Sequence, residues 1–250
     1  MTHPTTDHGS QFDATTLPPK PEKSSLLDDF MDIFYAPSSV FARREKAGFW
    51  IPLLIVAVLT GLIFLANRDL LEPIMDAEMT RSMAKSGRQL TEDQLKTMRS
   101  FGGVMGSIGA FVVTPIIIMF VGFITWLVGK FFDSKQTLNA GLMVAAFAYV
   151  PKVVEGILMR VQGTLLDTAS FDSRFSYSLG AGRFLDPDTT NPIVLALLGR
   201  LDVFTIWVTI LLAIGLSVTG KISRNKAAIA GVVVWLLGAL PQIAQGLAQQ

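Results

Sequence analysis

Five long apolar runs dominate this sequence and decide what it can fold into. Each holds about 18 residues or more, the length that an α-helix needs to cross a hydrocarbon layer roughly 30 Å thick. Half of the residues are hydrophobic and 16% are charged, against the roughly one quarter charged that is usual in soluble domains. The sequence therefore predicts an all-α, polytopic helical membrane protein with five transmembrane helices, at Phe49–Ala66, Val104–Val128, Leu138–Met159, Leu201–Thr219 and Ala227–Ala244.

The composition also divides the chain into three regions. Residues 1–23 are rich in threonine, proline and polar groups and have little apolar surface to bury, which predicts a disordered tail. Residues 24–48 read as a cytoplasmic amphipathic segment, and residues 49–246 as the five-span membrane domain.

Within the amphipathic segment, the pattern predicts a short helix that begins after Ser25 and ends before Pro37. Ser25 with Asp28 three residues later has the form of a capping box. Two roles stay open for the apolar face: contact with a partner, or packing against the protein's own spans. Three aspartates, predicted on the opposite face, have the wrong sign for anionic lipid and favour protein contact; they are Asp28, Asp29 and Asp32. The candidate partner-contact residues are Leu26, Leu27, Phe30, Met31 and Phe34.

The first long loop and the second span carry further helical signals. Thr91 with Gln94 forms a second capping box, which predicts a short amphipathic helix in the loop. Small side chains repeat every four residues at the start of the second span and predict a close-packing seam between helices; they are Gly102, Gly106, Ala110 and Thr114. Pro115 and Pro151 predict kinks in the second and third spans.

The third span carries two charges in the stretch YVPKVVEGIL. Lys152 and Glu155 are three residues apart, so they share a helix face and can neutralise each other in the outer half of the membrane. Arg160 ends this span, and Arg200 with Asp202 precedes the fourth. These five residues form a candidate intramembrane polar cluster. They either pair structurally at the interface or line a cavity that binds a headgroup, an ion or a proton.

Basic residues set the orientation of a membrane protein, and their raw counts tie here. Ten lie on the side of the N-terminus and ten lie in the two long loops. The links on the N-terminal side are short and strongly basic, whereas the loops are longer and largely balanced by acids. Density therefore predicts a cytoplasmic N-terminus and an outside C-terminus.

No catalytic or cofactor motif is found in the sequence. Cysteine is absent, and His3 and His8 both lie in the polar tail, so we predict no catalytic residue, no metal site and no cofactor. A net charge of +1 argues against nucleic acid as a partner. The predicted partners are the lipid bilayer, a membrane or cytoplasmic protein, and a second copy of the chain.

Three stretches resemble the bacterial branch of the Yip1 domain family: AYVPKVVEGIL, LGRLDVFTIWVTILLAIGLSVTGKISRNKAA and DIFYAPSSVF. The last loosely matches the Asp-Leu-Tyr-Gly-Pro element of eukaryotic members, with Phe34-Tyr35-Ala36 in place of Leu-Tyr-Gly. The resemblance covers roughly Phe30 to Leu240 and is most specific over Leu201–Lys226. It implies a five-span integral protein, here of a bacterial inner membrane.

The resemblance also implies a class of function. Eukaryotic members of the family belong to the early secretory pathway, associate with Rab GTPases and with each other, and have no known catalytic activity. The first hypothesis is therefore a non-enzymatic protein that organises the membrane or binds partner proteins. The alternative is a homo-oligomeric transporter or channel for a small solute, an ion or a lipid, with Lys152 and Glu155 lining the path.

Overall fold

The computed structural model describes residues 25–87, 91–166 and 173–247, and these residues form an all-α bundle. The predicted tail at 1–23 lies outside the described residues. The helices are α1 (Leu26–Asp32), α2 (Pro37–Arg44), α3 (Trp50–Ala66), α4 (Arg68–Ser86), α5 (Glu92–Lys130), α6 (Leu138–Ala148), α7 (Val150–Leu165), α8 (Pro192–Leu198), α9 (Val203–Gly220), α10 (Arg224–Leu237) and α11 (Leu240–Leu247). A 3₁₀ turn at Ala181–Phe184 precedes α8. The predicted fold class is confirmed.

Four helical stretches of the described chain are long and apolar enough to cross a membrane. They are α5, α6 with α7 (Leu138–Leu165), α9, and α10 with most of α11 (Arg224–Gln245). The helix α3, at 17 residues, makes a fifth span only when it is counted together with α4, from which it is bent by 79°. The structure therefore supports four to five spans.

Two predicted boundaries are corrected by the fold. The capping box at Thr91 is confirmed, but its helix does not stop in the loop: it continues into the second span as the 39-residue α5. Pro115 lies inside this helix. The third span is longer than predicted and consists of α6 and α7, which meet at Tyr149, and Pro151 lies in the first turn of α7, where a missing N–H costs little.

The bundle has two ends, which we name by their chemistry. At the basic end, α5 ends at Lys130, α9 ends at Gly220 and α10 begins at Arg224. At the loop end, α9 begins at Val203 and α10 ends at Leu237.

Two glycines allow α5 and α6 to approach closely in the half of the bundle near the basic end. A Cβ added to Gly122 of α5 would lie 3.0 Å from the carbonyl oxygen of Gly141 in α6, and one added to Gly141 would lie 3.1 Å from the carbonyl oxygen of Gly122. Backbones this close leave no room for a side chain. The predicted seam lies elsewhere on α5, where a Cβ at Gly102 would meet nothing within 4 Å and Gly106 lies near Phe64 and Met75. The close crossing of α5 with α6 therefore uses different small residues from those singled out in the sequence.

The N-terminal helices pack against the bundle. The capping box of Ser25 and Asp28 is confirmed. Phe30 packs against Phe147 of α6 at a ring separation of 5.3 Å, and Phe34 meets Trp207 of α9 edge-on at 5.4 Å. These contacts join α1 to the main hydrophobic core.

One aspartate of this segment lies where the sequence pattern does not place it. Asp29 was predicted on the polar face, yet its side chain is fully buried. Arg43 and Arg44, at the end of α2, each bind the Asp29 carboxylate at 2.5 Å, and Arg43 also binds Asp32 at 2.6 Å. The charge needed to bury an acid thus comes from the following helix.

Candidate functional site: a polar cavity at the loop end

Three charged residues meet where α7 and α9 begin: Lys152 and Glu155 lie in the first two turns of α7, and Asp202 directly precedes α9. The Lys152 ammonium lies 2.7 Å from Glu155 and 3.8 Å from Asp202, and it donates a hydrogen bond to the Thr205 hydroxyl at 3.1 Å. Lys152 and Glu155 are each about three quarters buried. One ammonium therefore serves two carboxylates, which makes this region locally acidic unless other cations approach.

Asp202 is fixed by its position at the start of α9. Its carboxylate accepts hydrogen bonds from the N–H groups of Phe204 at 3.0 Å and Thr205 at 2.9 Å, which makes it the N-cap of that helix. The backbone beside it pairs with the preceding loop, because the Ala181 N–H donates to the Leu201 carbonyl at 3.1 Å. This double attachment holds the acid close to Lys152 even though it is far away in sequence.

These groups line a cavity of about 870 Å³. Its walls come from α5, α7, α9, α10, α11 and the segment before α8, and they are mostly apolar. Tyr177 is among the polar lining groups, and burial raises its pKa to about 12, so its hydroxyl stays neutral. A largely apolar pocket with a few convergent polar groups has the form of a small-molecule site.

Two arginines also line the cavity. The Arg200 guanidinium lies over the Trp235 ring at 5.9 Å, and its backbone carbonyl accepts a bond from the Trp235 indole at 3.4 Å. The Arg174 guanidinium lies over the Phe175 ring at 5.0 Å. Aromatic faces therefore support both cations within the cavity wall.

The structure brings four of the five predicted cluster residues together and separates the fifth. Lys152, Glu155, Arg200 and Asp202 all line the cavity. Arg160 does not, because it points to the start of α4 and binds Asp69 through two contacts of 2.6 and 2.8 Å. Beside that pair, the Asn67 side chain donates to the Gly156 carbonyl at 2.9 Å. Arg160 thus contributes to the attachment of the α3–α4 bend to α7.

Several lining residues were not singled out from the sequence. Arg174, Tyr177 and Gln242 lie in the loop and in α11, and no spacing rule connects them to the third span. Thr205 carries a weak signal, because Asp202 followed by an apolar run is a typical helix start. Among the described residues, no group of three or more histidine, aspartate or glutamate side chains is arranged to hold a metal ion.

A second surface of interest lies on α1. The predicted contact residues divide into two sets: Leu26, Phe30 and Phe34 pack against the core, whereas Leu27 and Met31 are exposed. Tyr35, in the turn that follows α1, is exposed as well. The side chains that we call the α1 ridge are therefore Leu27, Met31 and Tyr35, with exposed fractions of 75%, 61% and 69%.

Comparison with known proteins assigns the chain to a family. The model of the Yip1 domain matches residues 31–244, which is most of the chain and includes the cavity and, of the α1 ridge, Met31 and Tyr35. The chain belongs to the Yip1 domain family.

A relative of this Yip1 family member is found in Bacillus subtilis (strain 168). The relative is described as "Membrane protein YknW" and is 26% identical over 221 residues, which covers 86% of each chain. No solved structure matches the chain. These comparisons support a Yip1-type membrane protein and do not favour the transport alternative.

Proposed function

We propose that this Yip1 protein is a non-enzymatic integral membrane protein that organises its membrane by binding another membrane protein through the α1 ridge. The observation that carries the proposal is the exposure of Leu27, Met31 and Tyr35 on one side of a helix whose other side is packed. Leu27 and Met31, four residues apart in α1, lie on the same face of the helix, and Tyr35 follows in the next turn of the chain. Clusters of exposed apolar side chains are typical of interaction sites.

The segment that carries the α1 ridge is fixed against the rest of the protein. Ile33 is fully buried in the core, and the buried Asp29 carboxylate connects α1 to both arginines of α2. A helix that is already ordered loses little conformational entropy when a partner binds. This preorganisation supports a binding surface rather than a helix that folds only on contact.

The depth of α1 favours a partner that is itself in the membrane. Phe34 reaches Trp207, which lies thirteen residues before the end of α9 at Gly220. At about 1.5 Å per residue, this contact is roughly 20 Å along the helix from the basic end. The end of α1 therefore lies beside the spanning helices, where an apolar helix of another membrane protein can reach the ridge.

The proposal includes an orientation. Lys130, Lys221, Arg224 and Lys226 collect at the basic end, and cytoplasmic loops are enriched in lysine and arginine. We therefore assign the basic end and the N-terminus to the cytoplasm of a bacterial cell and the C-terminus to the outside. The relative, described as a membrane protein of a bacterium, supports a bacterial membrane as the location.

Site-specific photocrosslinking in native membranes tests the α1 ridge. A photoreactive residue at Met31 is expected to give a discrete protein adduct. The same residue at Leu54 of α3, which is 54% exposed, is the matched control and is expected to give lipid adducts only. Lipid adducts alone at both positions would overturn the proposal.

A second variant separates the contact from the fold. Replacing Leu27, Met31 and Tyr35 together by alanine keeps helix propensity and leaves Phe30 and Phe34 in the core. With the photoreactive residue moved to Ser39, which is exposed on α2, the adduct is expected to disappear while membrane insertion is unchanged. Persistence of the same adduct would show that the ridge does not carry the contact.

A further inference from the structure

The acidic and basic side chains around the loop-end cavity differ in whether they have charged partners. Both acids have partners: Glu155 binds Lys152 at 2.7 Å, and Asp202 accepts two backbone N–H groups in addition to the nearby ammonium. Arg200 and Arg174, in contrast, form no ion pair within the parts of the chain that the structure describes. The two arginine side chains are therefore available to bind an anion in the cavity.

Two buried polar atoms at this cavity also have no hydrogen-bond partner among the described residues. They are Nε of Arg200, which is a donor, and Oε1 of Gln242, which is an acceptor. Both residues line the cavity. Because buried polar atoms in folded proteins are almost always bonded, an orphaned donor and an orphaned acceptor in one pocket point to a ligand that supplies both complements.

The apolar wall of the cavity indicates the rest of such a ligand. Ile117 and Phe120 of α5 line the cavity, yet they are 47% and 60% exposed. In a membrane these side chains also contact the bilayer, so the cavity is continuous with the lipid phase. An alkyl chain can therefore lie along α5 while a polar headgroup occupies the charged part.

We infer that this cavity binds one membrane phospholipid. Its phosphate lies between Arg200 and Arg174, a donor of its headgroup meets Gln242, and an acyl chain passes Ile117 and Phe120. Guanidinium groups bind phosphate oxygens through charge-assisted hydrogen bonds. The cavity is lined by none of the α1 ridge residues, so this inference does not depend on the proposed partner.

The orphaned acceptor predicts a headgroup preference. Ethanolamine and glycerol headgroups carry N–H or O–H donors, whereas choline carries none. Phosphatidylethanolamine and phosphatidylglycerol should therefore bind more tightly than phosphatidylcholine with the same acyl chains, by about fivefold for one hydrogen bond.

The test is a lipid titration of the purified full-length protein in detergent, read by native mass spectrometry with these three lipids. Arg200→Gln is expected to weaken all three by about tenfold or more, because a charge-assisted contact is lost. Gln242→Leu is expected to weaken the ethanolamine and glycerol lipids only, which abolishes the preference. Arg160→Gln is the matched control, because Arg160 is paired with Asp69 outside the cavity.

Two further measurements keep the inference falsifiable. Ile117→Trp changes no charge and narrows the apolar wall, so it is expected to reduce lipid binding even where Arg200→Gln lowers the yield of folded protein. Inorganic phosphate, added in excess, is expected to displace no lipid. The inference would be overturned if Arg200→Gln bound each of the three lipids as tightly as the native chain does. Saturation of the site by free phosphate, with no bound lipid, would overturn it as well.

Discussion

The two ends of this Yip1 protein handle charge in different ways. At the basic end, each carboxylate of the described ion pairs has its own cationic partner. Lys221 binds Glu45 at 2.7 Å, Lys226 binds Asp133 at 2.8 Å, and two arginines bind the Asp29 carboxylate. At the loop end, the Lys152 ammonium lies near two carboxylates, and Arg174 and Arg200 form no ion pair among the described residues. The contrast is one of burial: Arg224 at the basic end also forms no ion pair among the described residues but is exposed, whereas Arg200 is half-buried in the wall of a cavity.

The largest effect is expected at the loop end, from Lys152→Ala. This change strands Glu155 and Asp202 in a mostly buried site and should lower the free energy of unfolding by about 3 kcal/mol. The double variant Lys152→Ala with Glu155→Ala removes one of the two acids and should be milder. Thermal melting in detergent measures both, and equal melting temperatures for the single and double variants would contradict the pairing.

The closed network at the basic end predicts the next largest effect. Asp29→Asn keeps the shape of the side chain but leaves Arg43 and Arg44 facing a neutral group, which should cost about 2 kcal/mol. The comparison is made by the same melting assay with Asp133→Asn, whose carboxylate is 86% exposed and paired with Lys226. A loss at Asp133 as large as that at Asp29 would show that burial does not separate the two pairs.

Alanine substitutions of glycines in α5 should also have different effects on stability toward the two ends of the bundle. Gly122→Ala places a Cβ against the backbone of α6 and should destabilise the protein by about 1 to 2 kcal/mol despite better helix propensity. Gly102→Ala, nearer the loop end, meets open space and should stabilise by up to about 1 kcal/mol. Chemical unfolding in detergent distinguishes them, and a destabilising Gly102→Ala would restore the seam predicted from the sequence.

The smallest effect concerns pH. The hydrogen bond from Lys226 holds the pKa of the Asp133 carboxyl below its usual value. A group with a lowered native pKa stabilises the fold above its unfolded pKa, and that stabilisation is lost as the pH falls through the native value. Because the pair is exposed, we expect only a slight difference in melting between native chain and Asp133→Asn at pH 7, and none near pH 2. A difference that grows on acidification would contradict this assignment.

Local patterns predicted the parts of this molecule that depend on neighbours in sequence. Hydropathy located the apolar spans, and both capping boxes were read from residues three apart. The pairing of Lys152 with Glu155 followed from the same helical spacing. In each case the interacting groups lie within one turn of helix, so no knowledge of the packing was needed.

Contacts between distant segments were not accessible to the same reasoning. Arg160 was grouped with the third-span charges by its depth, yet its partner Asp69 lies 91 residues away. Asp29 was placed on a solvent face because the helical wheel of α1 contains no information about the arginines of α2. No sequence pattern placed Gln242 in the cavity wall, because it lines the cavity only through the packing of α11 in the folded protein.

The length of α5 has a mechanical consequence. At about 1.5 Å per residue its 39 residues extend roughly 58 Å, whereas a bilayer with its headgroups is about 40 to 45 Å thick. If the helix stands perpendicular to the membrane with Lys130 at one interface, its first two or three turns extend beyond the opposite headgroups. If it stays within the headgroups, it must be steeply tilted. In the perpendicular case, the start of α5 would hold a partner bound there at a fixed distance from the bilayer.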